Sequence, residues 1–347
     1  MDHYAGIDVS LEYSSLCVVD ANGKIVREDK VASEPEALIG WFSALGFAVE
    51  RIGLEAGPLS QWLYAALQQA GLAVELLETR HVRKAFEAMP VKSDRNDARG
   101  IAQLMRLGWF RAVHCKSMGA QETRALLTAR KLVQAKLRDV ENSLRGVLRG
   151  FGLKVGKTTP RSFAGRIRAL VAGQANLEMI AKSLLAVRAV LLREFASFEK
   201  RVRLLARGDM RTRLLMSIPC VGPIVALTYN SAIDDPARFK SSKRVGAHFG
   251  LTPKKYQSGE TDYTGRISKI GDGAVRTALY EAAHLMLVKP VKGCSALKSW
   301  AMRIARRAGM SKAKVALARR LAVIMHKMLV NGAAFDPHAN AARAAIQ

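Results

Sequence analysis

At 347 residues the chain has room for two or three domains, and its 49% hydrophobic and 24% charged side chains are ordinary for a globular protein. Its 55 Lys and Arg against 29 Asp and Glu give a net charge of +26, more than solubility requires, which calls for a polyanionic partner. Four scattered cysteines (Cys17, Cys115, Cys220, Cys294), with no C-x-x-C pair and no His at ligand spacing, argue against disulfides and structural zinc.

The N-terminus "MDHYAGIDVS" has neither a basic n-region nor an apolar h-region, and no apolar run reaches membrane-spanning length. The expectation is a soluble, cytoplasmic protein without a membrane partner. The charge is unevenly placed. Residues 1–100 carry 10 basic and 15 acidic side chains, and residues 101–347 carry 45 and 14. An acidic module joined to a basic body suits an enzyme that gathers divalent cations better than a protein that only coats nucleic acid.

In chain order, "YAGIDVS" predicts a strand around Ile7 and Val9, and "SLCVVDANGKIVREDKV" two strands joined through Ala21-Asn22-Gly23. "EPEALIGWFSALG" predicts a helix with Pro35 in its first turn and Gly46 at its end. "RIGLEAG" follows as a strand, "PLSQWLYAALQQAG" as a helix, "LAVELLE" as a strand and residues 94–107 as a helix. The order βββαβαβα, an antiparallel meander followed by crossover helices, points to a ribonuclease H-like α/β fold rather than a doubly wound one.

From about residue 120 the pattern changes to long helices. Val133, Leu137, Val140, Leu144, Val147 and Phe151 step by four and three, and Leu184, Val187, Leu191, Phe195, Phe198, Val202 and Leu205 keep nearly the same stepping. The Gly-rich stretch between them predicts a loop, so the two runs form either a hairpin within one chain or a dimerisation arm. Residues 206–290 predict a compact basic unit, 295–331 two basic amphipathic helices broken near Gly309, and the last residues a frayed tail.

Three constellations bear on chemistry. Asp8 lies in the first strand, Glu55 ends the fourth, and these strands are neighbours in a ribonuclease H-like sheet. Asp94 and Asp97 share one face at i, i+3 of the final helix. Each residue has a plain reading as a strand end, a solvated side chain or a first-turn acid favoured by the helix dipole. Together they make a carboxylate set suited to Mg²⁺ or Mn²⁺, and two such ions serve in-line phosphoryl displacement. The flanking Lys92, Arg95 and Arg99 are candidates for guiding phosphate toward the ions.

The second constellation is "SIPCVGPIVALTYNSA", similar to a helix–hairpin–helix turn, in which Gly222 would let backbone N–H groups approach phosphate. The third is residues 239–283, where basic residues interleave with Tyr256, Tyr263, Gly and Ser, as on a surface that follows a phosphate backbone. Ser241, Ser242, Ser258 and Ser268 lie there, and composition alone does not choose a nucleophile among them.

In this order and spacing, "GIDVS", "LEAG", "SDRNDA", "IPCVGPIVA", "FGLTPKKYQSG" and "GRISKIGDGAVRTALY" resemble the DEDD transposases of bacterial insertion sequences, in the insertion-sequence one-ten family. The likeness runs from about residue 4 to 335. It implies a RuvC-like domain over 1–117, a coiled-coil arm over 118–205, a mainly helical transposase domain over 206–335 and a tail over 336–347. It places the four acidic metal ligands on Asp8, Glu55, Asp94 and Asp97, and the serine that joins cleaved DNA on Ser258. It further implies a structured non-coding bridge RNA pairing with donor and target DNA, a homo-oligomer in which one subunit's acidic site is completed by another's serine, and a location at the bacterial nucleoid. The remaining basic candidates for nucleic-acid contact are Lys254, Lys255, Arg266 and Lys269. The runner-up is a metal-dependent, structure-specific nuclease of the Holliday-junction resolvase kind, without a covalent intermediate.

Overall fold

The structure is a computed structural model that describes residues 2–87 and 91–337. The chain divides after Lys116 into two compact units. Of the tail expected over 336–347, residues 338–347 lie outside those described.

The first unit is built on strands β1 (Tyr4–Val9), β2 (Tyr13–Val19), β3 (Ile25–Ala32), β4 (Arg51–Glu55) and β5 (Val74–Leu77), in the order β3-β2-β1-β4-β5. The first three strands are antiparallel, and β1–β4 and β4–β5 are parallel. The neighbouring β1 and β4 are what the ribonuclease H-like reading requires. Helices α1 (Pro35–Ser43) and α2 (Ser60–Gln69) cover one face, where Ile7, Leu16, Ile52 and Leu54 pack with Leu38, Leu63 and Leu67. The other face carries α4 (Asp94–Leu107), with Tyr4, Cys17, Val19 and Leu77 against Ala98, Ile101 and Met105.

Between β5 and α4 stands a helix the sequence pattern did not indicate, α3 (Thr79–Phe86). Its segment "TRHVRKAF" buries only Val82, so it shows no apolar periodicity to read.

The second unit opens with the long helices α5 (Met118–Gly150) and α7 (Ala175–Gly208), which pack along each other within the chain. The connection is not wholly a loop: α6 (Phe163–Val171) forms inside it and buries Phe163, Ile167 and Val171 against α5 and α7. The expected seam of α7 is shifted by one position near its start. Leu185 and Arg188 are buried, while Val187 is exposed. Arg188 is tolerated there because its Nε donates to Glu141 at 2.7 Å, its guanidinium donates to the Pro160 carbonyl, and Phe163 lies under it. At this end of the arm Arg145, Arg149, Lys154 and the neighbouring backbone line a cavity of about 160 Å³.

After α8 (Met210–Leu215) and α9 (Pro223–Ile233) come α10 (Val245–His248), strands β6 (Pro253–Ser258) and β7 (Thr261–Ile267), then α11 (Gly273–Val288), α12 (Ser295–Ala308) and α13 (Met310–Asn331). Helices α9, α11 and α13 carry the core. The Tyr229 hydroxyl donates to the Ala322 carbonyl at 2.5 Å inside it. The unit is thus mostly helical, as expected, and α13 buries one face, including Leu317, Leu321 and Met325, while Arg319 and Lys327 are exposed. No described helix is long and apolar enough to cross a membrane.

Candidate active site

Two glycines bring the acidic residues of the first unit together. Gly6 of β1 and Gly53 of β4 sit side by side in the sheet. A Cβ on Gly6 would lie 2.2 Å from the Ala98 carbonyl oxygen, and one on Gly53 would lie 2.8 Å from the Ile101 side chain. Helix α4 therefore rests directly on the backbone of the two strands. Asp8 and Glu55 each lie two residues beyond these glycines, so strand alternation puts both on the α4 face. Asp94 and Asp97 stand in the first turn of α4. The helix cap is Ser93, whose hydroxyl accepts the Asn96 N–H. Among the described residues, no hydrogen bond to the helix backbone ties down the carboxylate of either aspartate.

Asp8 and Glu55 sense the acidic groups around them. Burial, then Asp97, Asp94 and Glu55, push the Asp8 carboxyl up to about 6, against the pull of Lys92. Burial raises Glu55 as well, with Asp97 adding to it and Thr79 and Lys92 opposing. Among the described residues, no three acidic, His or Cys side chains form a ready-made metal cage. The donor set is nonetheless all oxygen and carries a surplus of negative charge focused on Asp8, which fits a hard divalent cation.

Arg95 and Arg99, candidates for guiding phosphate, are ion-paired in the structure. Both reach back to Glu28 on β3. Arg95 donates through Nε at 2.9 Å, and Arg99 pairs through Nε and donates through Nη2 at 2.8 Å. Glu28 is opposite Cys17 in the sheet register and three-quarters or more shielded, so it anchors the first turns of α4 to the sheet. Lys92 remains exposed beside the acidic set.

In the second unit the structure separates the four serines. Ser242 is bonded to buried His326 at 2.9 Å, Ser241 accepts the Lys243 N–H, and Ser268 accepts the Ile270 N–H. Among the described residues the Ser258 hydroxyl makes no hydrogen bond, and Ser258 is exposed at the end of β6. It pairs with Thr261 across a two-residue turn opened by Gly259 at positive φ.

Two family models match the chain. One, of DEDD transposases of the IS110 group and described as "Transposase", covers residues 5–152. The other, described as "Transposase IS116/IS110/IS902 family", covers residues 212–297. The transposase for insertion sequence element IS1111A of Coxiella burnetii is 28% identical over 330 residues, 93% of this chain and 88% of its own. The chain belongs to the IS110 family of DEDD transposases.

A probable family 20 transposase of Pseudomonas aeruginosa is 24% identical and covers 82% of this transposase and 86% of itself. Among solved structures, T. thermophilus RuvC in complex with Holliday junction substrate is similar over 33% of this chain and 100% of its own, with 18% identity and a TM-score of 0.25. The family models and the relatives named as transposases make the chain a DNA-acting enzyme. Residues 153–211, between the two matched stretches, hold α6 and all of α7.

The remaining candidates of the transposase lie in the second unit. Lys254, Lys255 and Arg266 stand on the exposed β6–β7 hairpin, where the sequence reading placed no strands. Lys255 is partly neutralised by Asp262 at 3.3 Å. Lys269 follows at φ 55. Gly222 precedes α9 with φ −90, and open space surrounds the position of a Cβ there. The left-handed residue of that turn is Cys220 (φ 67), so glycine is not required at 222 by backbone conformation. A residue the sequence reading passed over is Arg276. It donates to the carbonyls of Phe249, Ile270 and Gly271 at 2.9–3.1 Å and closes the base of the hairpin.

Proposed function

We propose that this transposase cuts and rejoins DNA strands through a covalent phosphoserine on Ser258, with Asp8, Glu55, Asp94 and Asp97 holding divalent cations, Mg²⁺ or Mn²⁺. The observation that carries the reading is the negative charge converging on Asp8 from three other carboxylates at the junction of β1, β4 and α4. A bound pair of cations would stabilise the charge developing on the attacking and leaving oxygens of an in-line displacement. The chain's own contribution is placement. Glu28 holds α4 to the sheet, and the hairpin turn presents the Ser258 hydroxyl without a competing bond.

In the reaction the Ser258 oxygen forms a bond to phosphorus and gives up its proton. The bond from phosphorus to the leaving sugar oxygen breaks, and that oxygen takes up a proton. Attack of a second strand's hydroxyl on the same phosphorus then releases the serine and seals the new junction. A homo-oligomer, a dimer or dimer of dimers in which one subunit's serine completes another's acidic site, rests on the family resemblance. Guidance by a structured non-coding RNA pairing with donor and target DNA rests on the family resemblance, as does the location at the nucleoid. Exposed cations such as Lys254 and Arg266 suit phosphate contact rather than base reading.

The test is a denaturing-gel assay with labelled donor and target DNA, Mg²⁺ and the RNA. Ser258→Ala is expected to abolish the protein–DNA adduct and strand exchange while DNA still binds. An adduct that survives would rule out this serine. Asp8→Asn or Asp97→Asn is expected to lower Mg²⁺-dependent cleavage by 100-fold or more, on the order of about 3 kcal/mol in the barrier. Undiminished cleavage by either variant would contradict the shared cation site. Cleavage by Ser258→Ala without any adduct would favour the resolvase-like reading.

A further inference from the structure

We propose that the face of the β6–β7 ribbon carrying Ser258 is a stacking platform for an unpaired DNA base, with Tyr256 and Tyr263 as its surface. The position of that base, beside the phosphate presented to Ser258, rests on the reading of the serine given above.

Alternation and register divide the ribbon into two unlike faces. Lys255, Gln257 and Asp262 share one. There the Lys255 ammonium meets Asp262 at 3.3 Å and Gln257 at 3.2 Å, so the polar groups satisfy each other. Tyr256 and Tyr263 are cross-strand partners on the opposite face, their rings stacked with centroids 4.8 Å apart and planes 16° from parallel. Ser258 and Thr261, two residues nearer the turn, fall on the same face as the tyrosines. Two residues along a strand is about 7 Å, comparable to the span from a phosphate to the base it carries.

Folding does not account for the pair. Tyr256 is 44% and Tyr263 54% exposed, and neither joins a hydrophobic cluster of the unit. Gly265, the next residue on that face, leaves room for the ring: a Cβ there would lie 3.2 Å from Tyr256 Cε2. Exposed Lys254 and Arg266 on the two strands supply positive charge for the adjoining backbone, and among the described residues no carboxylate pairs with either. The outer faces of a stacked ring pair bordered by cations fit the π-face of a base without regard to its identity. Within a duplex those faces are covered by neighbouring bases, so the platform takes a base that has left the stack.

The test uses the full chain carrying Ser258→Ala and a gapped DNA duplex with one unpaired 2-aminopurine. Binding is expected to quench the 2-aminopurine fluorescence. Replacing both tyrosines by Leu keeps an apolar cross-strand pair, yet is expected to weaken binding about tenfold and abolish the quench. Replacing both by Phe is expected to preserve affinity and quench. A Leu double variant with unchanged affinity and quench would overturn the platform. So would a Phe variant as impaired as the Leu one, or a Leu effect confined to an RNA strand of the same sequence. The quench is read in a chain that cannot use Ser258, so failure of the serine as nucleophile would show separately in the adduct assay.

Discussion

Glu28 governs what the two arginines beside the acidic set can do. The Arg99 hydrogen bond, reinforced by Arg95 and opposed by burial, lowers its carboxyl to about 2 from an ordinary 4.5. A carboxylate with a depressed pKa stabilises the fold fully above its unfolded value, and that contribution is lost as pH falls from about 4.5 toward 2. Glu28→Gln is expected to cost about 2 kcal/mol at neutral pH, the scale of charge-assisted hydrogen bonds. In urea titrations at a series of pH values the gap between parent and variant should close over that acidic window. A gap that stays constant with pH would mean the loss is one of packing. This pairing could not be read from the sequence, because Glu28 and Arg99 meet only when β3 and α4 are assembled, although Asp8, Glu55, Asp94 and Asp97 were each legible as carboxylates at element ends.

At the scale of elements, the docking of α4 on two glycines ties the fold to the site. Gly6→Ala would force a methyl group against the helix backbone at Ala98. The expected result is a loss of about 1–3 kcal/mol from overpacking, together with reduced Mg²⁺-dependent cleavage as α4 lifts away from Asp8. Gly40→Ala in α1, where nothing lies within 4 Å, is the control and should be neutral or stabilising. Equal effects in chemical denaturation would sink the close-approach explanation. Strands β1, β2, β4 and β5 were legible because one or both faces are buried and their apolar residues alternate or run together, whereas β3 buries no residue and was legible from the Ala21-Asn22-Gly23 turn before it. The β6–β7 ribbon was not, because strand patterning records a buried face and this ribbon has none. Its only sign was the symmetrical alternation of "YQS" and "TDY" about a Gly-Glu turn.

For the molecule as a whole, 45 basic against 14 acidic side chains over residues 101–347 set the expectation for DNA affinity. If six or more phosphates are contacted, affinity should fall by roughly a thousandfold or more between about 50 and 200 mM salt. Fluorescence anisotropy across that range checks this, and a slope below about 3 in log affinity against log salt would contradict so broad a contact.

The long helix α7 sets a length. Ala181 packs with α6 at the outer end of the arm, and Ala206 packs with α9 at the other. The helix between them rises about 38 Å at 1.5 Å per residue, and the buried Arg188–Glu141 pair fastens its partner along that span. At 3.4 Å per base pair this is close to one full turn of duplex, about 11 base pairs. A duplex laid along this span would turn the same groove toward both of its ends.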